Sequence, residues 1–276
     1  MTTDATLRAW GRYVASLPTM FPWIRHGVAL ERCASTQDEC ERLTRELAAG
    51  HPGVVVTAMH QTAARGRLGR VWEQGGDAGL AVTIGLDAAR YSAALLSLAG
   101  GIAACQAVRT WVVGSAAETV GIKWPNDVVG RSPATGDFVK LGGVLAEVKG
   151  GSGGLALLGI GINVGHREES FPPELAGRAA SIEMLSSSSE TVSRLDVLGT
   201  LLTELDRLLA AAPEAVAERW KRHDVLVGTQ QTFETGGKRM HGLVRRIEPA
   251  TEIVVEADGR LHNLPAATTT LVKVER

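Results

Sequence analysis

The segment Gln61-Thr62-Ala63-Ala64-Arg65-Gly66-Arg67-Leu68-Gly69-Arg70-Val71-Trp72 carries three arginines separated by glycines. A core strand would bury those charges at high cost, so the pattern predicts an exposed loop. Arginine offers a planar fork that fits phosphate or carboxylate, and glycine lets backbone N–H groups approach the same anion. An exposed basic loop or an RGG-like nucleic-acid contact would use the same residues, so this segment alone does not choose its anion.

Three further segments could join it. Lys123-Trp124-Pro125-Asn126-Asp127 sets a cation, a ring, an amide and a carboxylate at the end of an apolar run, where loops often build sites. A turn whose Asn126 and Asp127 bond their own backbone explains it equally. Lys140-Leu141-Gly142-Gly143-Val144-Leu145-Ala146-Glu147 places one lysine at the mouth of an apolar strand, with glycines leaving room for a ligand; a solvated lysine is the plainer reading. Gly159-Ile160-Gly161-Ile162-Asn163-Val164 fails the GxGxxG spacing and reads first as a glycine-thinned strand. The P-loop signature, HExxH and GxSxG do not occur.

The elements that must position these groups can be read from periodicity. Gln37–Ala49 is an amphipathic helix with Ser35 and Thr36 as candidate caps, followed by a turn at Gly50-His51-Pro52-Gly53 and a buried strand from Val54 to Met59. A polar loop from Gln61 to Gly79 leads into a strand at Leu80–Leu86 and a long helix at Ala93–Trp111, whose Gly100-Gly101 permits close packing. Thr119–Val129 is a short strand broken at Pro125-Asn126-Asp127. Leu141–Val148 and Leu155–Val164 form a hairpin about the glycine-rich turn 150–154. Ser186–Ser189 reads as a flexible polar link between this half and helices at Val192–Leu209 and Pro213–His223. Beyond Asp224 the texture changes to short strands ending at Leu271-Val272-Lys273-Val274, which places a boundary near residue 225 and suits a small β-barrel.

Composition excludes several classes. With 29 Lys+Arg against 30 Asp+Glu in 276 residues, the chain has no general pull toward polyanions. The 3 cysteines form no CxxC pair, which disfavours a disulfide framework or structural zinc and fits a reducing compartment. No secretory signal opens the chain, and no uninterrupted apolar stretch has the length of a membrane span, so a soluble cytoplasmic protein is expected.

Together and in this order, the four segments resemble biotin protein ligases, adenylating enzymes that attach biotin to a carrier lysine. The family pattern GRGRxGR, KWPND, KLxGIL.E and GxGxN stands here as ARGRLGR, KWPND, KLGGVLAE and GIGIN, and Ser35-Thr36-Gln37 matches Ser-Thr-Asn with Gln for Asn. The resemblance covers roughly residues 30 to 276. It implies an α+β (α/β) catalytic domain over 30–224, with a mixed sheet flanked by helices as in class II aminoacyl-tRNA synthetases. A segment 1–29 precedes it as an N-terminal extension, and an SH3-like barrel occupies 225–276.

Carried over by position, the resemblance implies that Ser35, Thr36 and Gln61 hydrogen-bond biotin, with Arg65 and Gly66 in the loop that closes over it and Gly143 beside it. Arg67, Arg70, Trp72, Lys123, Asn126 and Asn163 would serve ATP and the adenylate. Lys140 and Arg67 would be catalytic and would also touch biotin, Lys140 lying where its carboxylate meets the α-phosphate. Mg²⁺ would enter with the ATP phosphates, with no protein ligand assigned. Ala64 stands where the family has the first glycine of its loop, and its methyl restricts positive φ and crowds a closely approaching ligand, which would weaken biotin binding or loop closure.

The implied partners are biotin, ATP and the biotin carboxyl carrier domain of an acyl-CoA carboxylase, with no nucleic acid and no membrane, in a monomer or weak homodimer. The stretch ahead of Ser35 is too short for a winged helix-turn-helix, so a monofunctional ligase is expected. Lipoate or octanoate ligases share the fold, but their RR…GGG motif is missing. A non-catalytic biotin binder is favoured only by Ala64. An RNA binder using Arg65-Gly66-Arg67 is disfavoured by neutral charge and the lack of interleaved aromatics.

Overall fold

The computed structural model describes residues 4–47, 52–72, 78–150 and 154–272. Gly50 and His51 of the expected first turn, the centre of the 150–154 turn, and Lys273-Val274 lie outside the described residues, as do 73–77 of the arginine loop.

The larger unit is a seven-stranded mixed sheet in the order β1-β2-β3-β7-β6-β5-β4. Its strands are β1 (His26–Cys33), β2 (Val54–Gln61), β3 (Gly79–Asp87), β4 (Gly121–Lys123), β5 (Asp127–Arg131), β6 (Phe138–Lys149) and β7 (Leu155–Asn163). Only β1 and β2 run parallel; the other neighbours are antiparallel. Helices cover both faces, and for that reason β2 and β3 are apolar nearly throughout rather than alternating. The period of two in β7 separates the faces. Leu157 packs with Cys40 and Leu43 of α2 (Thr36–Leu47), whereas Ala156, Leu158, Ile160 and Ile162 join the core beneath α3 (Ala93–Trp111).

Close approach on each face depends on missing side chains. A Cβ at Gly100 of α3 would lie 2.8 Å from Leu158, and one at Gly85 of β3 would lie 3.0 Å from Thr44 of α2. Ser92 caps α3 by accepting the N–H of Leu95. By length and composition α3 qualifies as a membrane span, contrary to the expectation that no stretch would, yet most of it is buried as the central core helix.

The boundary expected at residue 30 falls inside β1. Ahead of it, α1 (Asp4–Met20) buries Trp10, Val14 and Leu17 in the main core, so this segment packs as part of the sheet unit. Their i, i+4, i+7 spacing puts them on one helical face. Ser186–Ser189 also differs from expectation, because the link is tied down: Ser186 Oγ accepts from the Val113 N–H, and the Ser187 N–H donates to the Val113 carbonyl. The short α4 (Ile182–Leu185) precedes it, and α5 (Arg194–Leu209) and α6 (Pro213–Lys221) pack against α3.

The C-terminal unit is a five-stranded antiparallel sheet ordered β11-β10-β9-β8-β12. It comprises β8 (Gln230–Thr235), β9 (Lys238–Glu248), β10 (Glu252–Ala257), β11 (Arg260–Pro265) and β12 (Thr269–Val272). Its Phe233, Val244 and Val255 belong to the same apolar cluster as Trp124, so the seam between the units is itself core. Trp124 Nε1 donates across that seam to the Pro249 carbonyl at 3.2 Å.

Candidate active site

Where β1 ends and α2 begins, Ser35, Thr36 and Gln37 are all buried. The Thr36 N–H and hydroxyl both donate to Gln61 Oε1, at 2.8 and 3.0 Å, and the Thr83 hydroxyl donates to Thr36 Oγ1 at 2.9 Å. Gln61 closes β2 beside Cys33 in the parallel ladder, so the β1-β2 register brings together residues far apart in sequence. The result is a cluster of uncharged hydrogen-bonding groups suited to a neutral polar head.

The arginine loop leaves β2 and turns back on itself. Arg65 and Val71 form an antiparallel bridge, the Gly66 N–H donates to the Arg70 carbonyl, and the Trp72 N–H donates to the Ala64 carbonyl. The left-handed residues in the turn are Leu68 (φ 57°) and Gly69 (φ 72°). Ala64 is not among them, so the strain expected from its methyl is absent: the residue is buried with φ outside the left-handed region. Arg65 makes a two-pronged pair with Asp38 in the first turn of α2, at 2.7 and 2.5 Å. That bond holds the Asp38 carboxyl below its ordinary range.

The loop then reaches the cationic end of the site. Trp72 lies on Gly161 of β7, where a Cβ would come within 2.8 Å of the indole, and beside Gly143 of β6, the cross-strand partner of Gly161. Lys140 Nζ is 5.2 Å from the Trp72 ring centroid and 2.6 Å from Asp127 Oδ1. The Lys140 backbone is held on both sides: its N–H donates to Arg178, and its carbonyl accepts from Ala180 and from Asn163 Nδ2. Arg67 donates to the Ala266 carbonyl of the C-terminal unit at 3.0 Å and approaches Asn126 Oδ1 at 3.5 Å. Burial lowers its pKa, Asp127 partly compensates and Arg70 adds to the lowering, yet a guanidinium stays charged.

The sequence-predicted residues therefore fall into two connected groups. Ser35, Thr36 and Gln61 meet at the neutral end; Arg67, Trp72, Asn126, Lys140 and Gly143 meet at the cationic end. Trp72, assigned to the nucleotide, sits on the glycine floor next to Lys140. Asn126 spends its amide on the Val144 carbonyl at 2.8 Å, extending the ladder where β5 bends away, and buried Asn163 bonds Lys140 and Ala180. Lys123 stands opposite Asp127 in the backbone register of β4 and β5, while Arg70 is exposed beside Arg67. Sequence reasoning missed Asp38 and Thr83 as partners of the site, and it placed Asp127 in a candidate segment without its pairing to Lys140. The signal at Asp38 is weak, because an acid in the first turn of a helix looks like dipole compensation. A separate polar cleft of about 480 Å³, lined by Gln106, Thr200, Glu204 and Arg219, holds none of the predicted residues.

Comparison with known proteins bears on this geometry. Residues 30–164 match the Biotin/lipoate A/B protein ligase family. A biotin–[acetyl-CoA-carboxylase] ligase of Mycobacterium tuberculosis is 31% identical over 216 residues, covering 75% of each chain. The bifunctional ligase/repressor BirA of Bacillus spizizenii is 24% identical over 251 residues, 88% of this chain and 73% of that one. Among solved structures, the biotin protein ligase of Aquifex aeolicus in complex with biotin and ATP superposes with a TM-score of 0.71 at 23% identity, covering 90% of this chain and 98% of that chain.

Proposed function

The chain belongs to the biotin/lipoate A/B protein ligase family, and from that premise we propose that it is an ATP-dependent ligase that activates biotin as biotinyl-5′-AMP and transfers it to a carrier lysine. The observation that carries this reading is the pair of unlike ends: buried neutral donors and acceptors at Ser35, Thr36 and Gln61, and cations at Lys140 and Arg67 beside the glycine floor of β6 and β7. A neutral ureido head suits the first, and a carboxylate meeting a phosphate suits the second.

In the first half-reaction the biotin carboxylate attacks the α-phosphorus of ATP and pyrophosphate leaves. Two anions must be brought together, so the protein's contribution is positioning and charge stabilisation by Lys140 and Arg67, with Arg70 and Lys123 nearby. Asp127 holds the Lys140 ammonium in place until the carboxylate competes for it. Mg²⁺ enters as the counter-ion of ATP; among the described residues no group of three metal-ligating side chains offers a protein cage for it. The mixed anhydride is sensitive to water, and the arginine loop, tied by its Arg65–Val71 bridge, would shield it on closing over the site. In the second half-reaction the ε-amine of the carrier lysine attacks the acyl carbon and AMP departs.

The partner in this reading is the biotin carboxyl carrier domain of an acyl-CoA carboxylase, with no nucleic-acid role, and the working form is a monomer or weak homodimer in the cytoplasm. The three free, buried cysteines suit that compartment. The test is ATP–pyrophosphate exchange with biotin, lipoate or octanoate as the acid. Biotin alone should support rapid exchange; preference for lipoate or octanoate would overturn the assignment.

A further inference from the structure

Gln37 follows the two residues assigned to biotin, yet its side chain turns away from them into the sheet. It is 4% exposed, and its Nε2 donates to the Leu145 carbonyl of β6 at 3.1 Å. The amide lies flat on Gly159 of β7, the cross-strand partner of Leu145: a Cβ at Gly159 would come within 3.2–3.3 Å of Gln37 Nε2, Cδ and Cγ. The Gln37 N–H meanwhile donates to Ser35 Oγ at 3.3 Å. One residue therefore grips the central strands with its side chain and Ser35 with its backbone.

Other constraints on the start of α2 come from its edges. Gln61 and Thr83 hold Thr36, and Arg65 holds Asp38. Among the described residues Gln37 makes the side-chain hydrogen bond from this turn to β6, and it lies against β7, the strands that carry Lys140, Gly143 and Gly161. The distance between the neutral and cationic ends must match the length of the acid that bridges them, and a misplacement on the order of 1 Å is enough to cost large factors in rate.

Resting on the reading of the site as biotin-activating, we infer that Gln37 is a positioning residue: its amide, seated on Gly159 and bonded to Leu145, sets the height of Ser35 and Thr36 above the sheet. Asparagine at this position is one methylene shorter and loses the reach to Leu145; methionine keeps the length and loses the donor. A side chain at 159 would press on the same amide.

The experiment measures KM for biotin, KM for ATP and kcat in pyrophosphate exchange, with melting temperature alongside, for wild type, Gln37→Asn, Gln37→Met, Gly159→Ala and the Gln37→Asn/Gly159→Ala double variant. Loss of one buried hydrogen bond predicts a rise of about fivefold in biotin KM for Gln37→Asn and Gln37→Met, with ATP KM within about twofold of wild type. Gly159→Ala should also raise biotin KM, and the double variant should fall short of the product of the single effects, because the shorter amide makes room for the methyl. A biotin KM that stays at the wild-type value in Gln37→Asn and Gln37→Met, whatever their melting temperatures, overturns the inference; so does an equal rise in both KM values. If the wild type itself gives no biotin-dependent exchange, the functional reading falls and the inference with it. If the wild type exchanges and the Gln37 variants keep its biotin KM, only the inference falls.

Discussion

Thr36 allows the hydrogen-bond logic of the neutral end to be tested as a free energy. Its hydroxyl is buried, donates to Gln61 Oε1 and accepts from the Thr83 hydroxyl, which is itself fully buried. Thr36→Val keeps the branched shape but leaves the Thr83 donor without its acceptor, at a cost of about 1–3 kcal/mol. Thr83→Val removes that donor while Thr36 continues to serve Gln61, costing about 0.5–1.5 kcal/mol, the net worth of one hydrogen bond. In the double variant no hydroxyl is stranded, so its stability should exceed the additive expectation by about 1 kcal/mol or more. Urea denaturation of the four proteins gives the cycle directly. Biotin affinity should be weakened in both proteins that carry Thr36→Val, separating the stability effect from the binding effect. Stabilities that add within about 0.5 kcal/mol would refute the hydroxyl-to-hydroxyl bond on which the geometry depends.

Other consequences concern the floor and the seam. Gly142→Ala should destabilise more than Gly143→Ala by at least about 1 kcal/mol, since a Cβ at 142 would lie 2.8 Å from the Gly161 carbonyl oxygen, whereas one at 143 meets its nearest atoms at 3.4 Å. Urea midpoints check the order, and the reverse order would contradict the packing. His223, which faces Gln106 and lies near Arg109, Arg219 and Arg222, has its pKa pushed down from 6.5 to about 4, first by burial and then by those arginines. The unfolded chain therefore takes up this proton before the folded chain does. The His223 contribution to stability is complete above pH 6.5, is lost progressively as pH falls toward 4, and changes no further below that. Replacing His223 with Gln should flatten that part of the profile in denaturation measured across the window; an unchanged slope would refute the assignment.

Much of the scaffold was legible because its signals are local. Apolar runs bounded by turns marked β2, β3, β6 and β7, and an alanine- and leucine-rich stretch marked α3 at its observed ends. The site residues were legible as types but not as contacts. Nothing local in the sequence says that Arg65 will meet Asp38 or that Arg67 will reach Ala266, because the β1-β2 register and the docking of the C-terminal sheet create those pairs. The i, i+4, i+7 pattern of Trp10, Val14 and Leu17 marks one apolar face of α1, but nothing local says that this face covers the sheet. At Ser186 and Ser187 polarity does not distinguish a free link from one whose hydroxyl and N–H groups satisfy Val113. At Ala64 the family's glycine needs no positive φ, because the turn takes its left-handed residues at Leu68 and Gly69.

In the proposed reaction one lysine, held by Asp127 beside Trp72 and the glycine floor, joins an acid to the α-phosphate of ATP. Biotin-dependent ATP–pyrophosphate exchange by wild type and Lys140→Ala tests it most directly. The wild type should exchange and, with folding retained, the variant should lose at least about a hundredfold in rate, on the scale of removing one charge-stabilising donor. No exchange by the wild type, or undiminished exchange by Lys140→Ala, would contradict it.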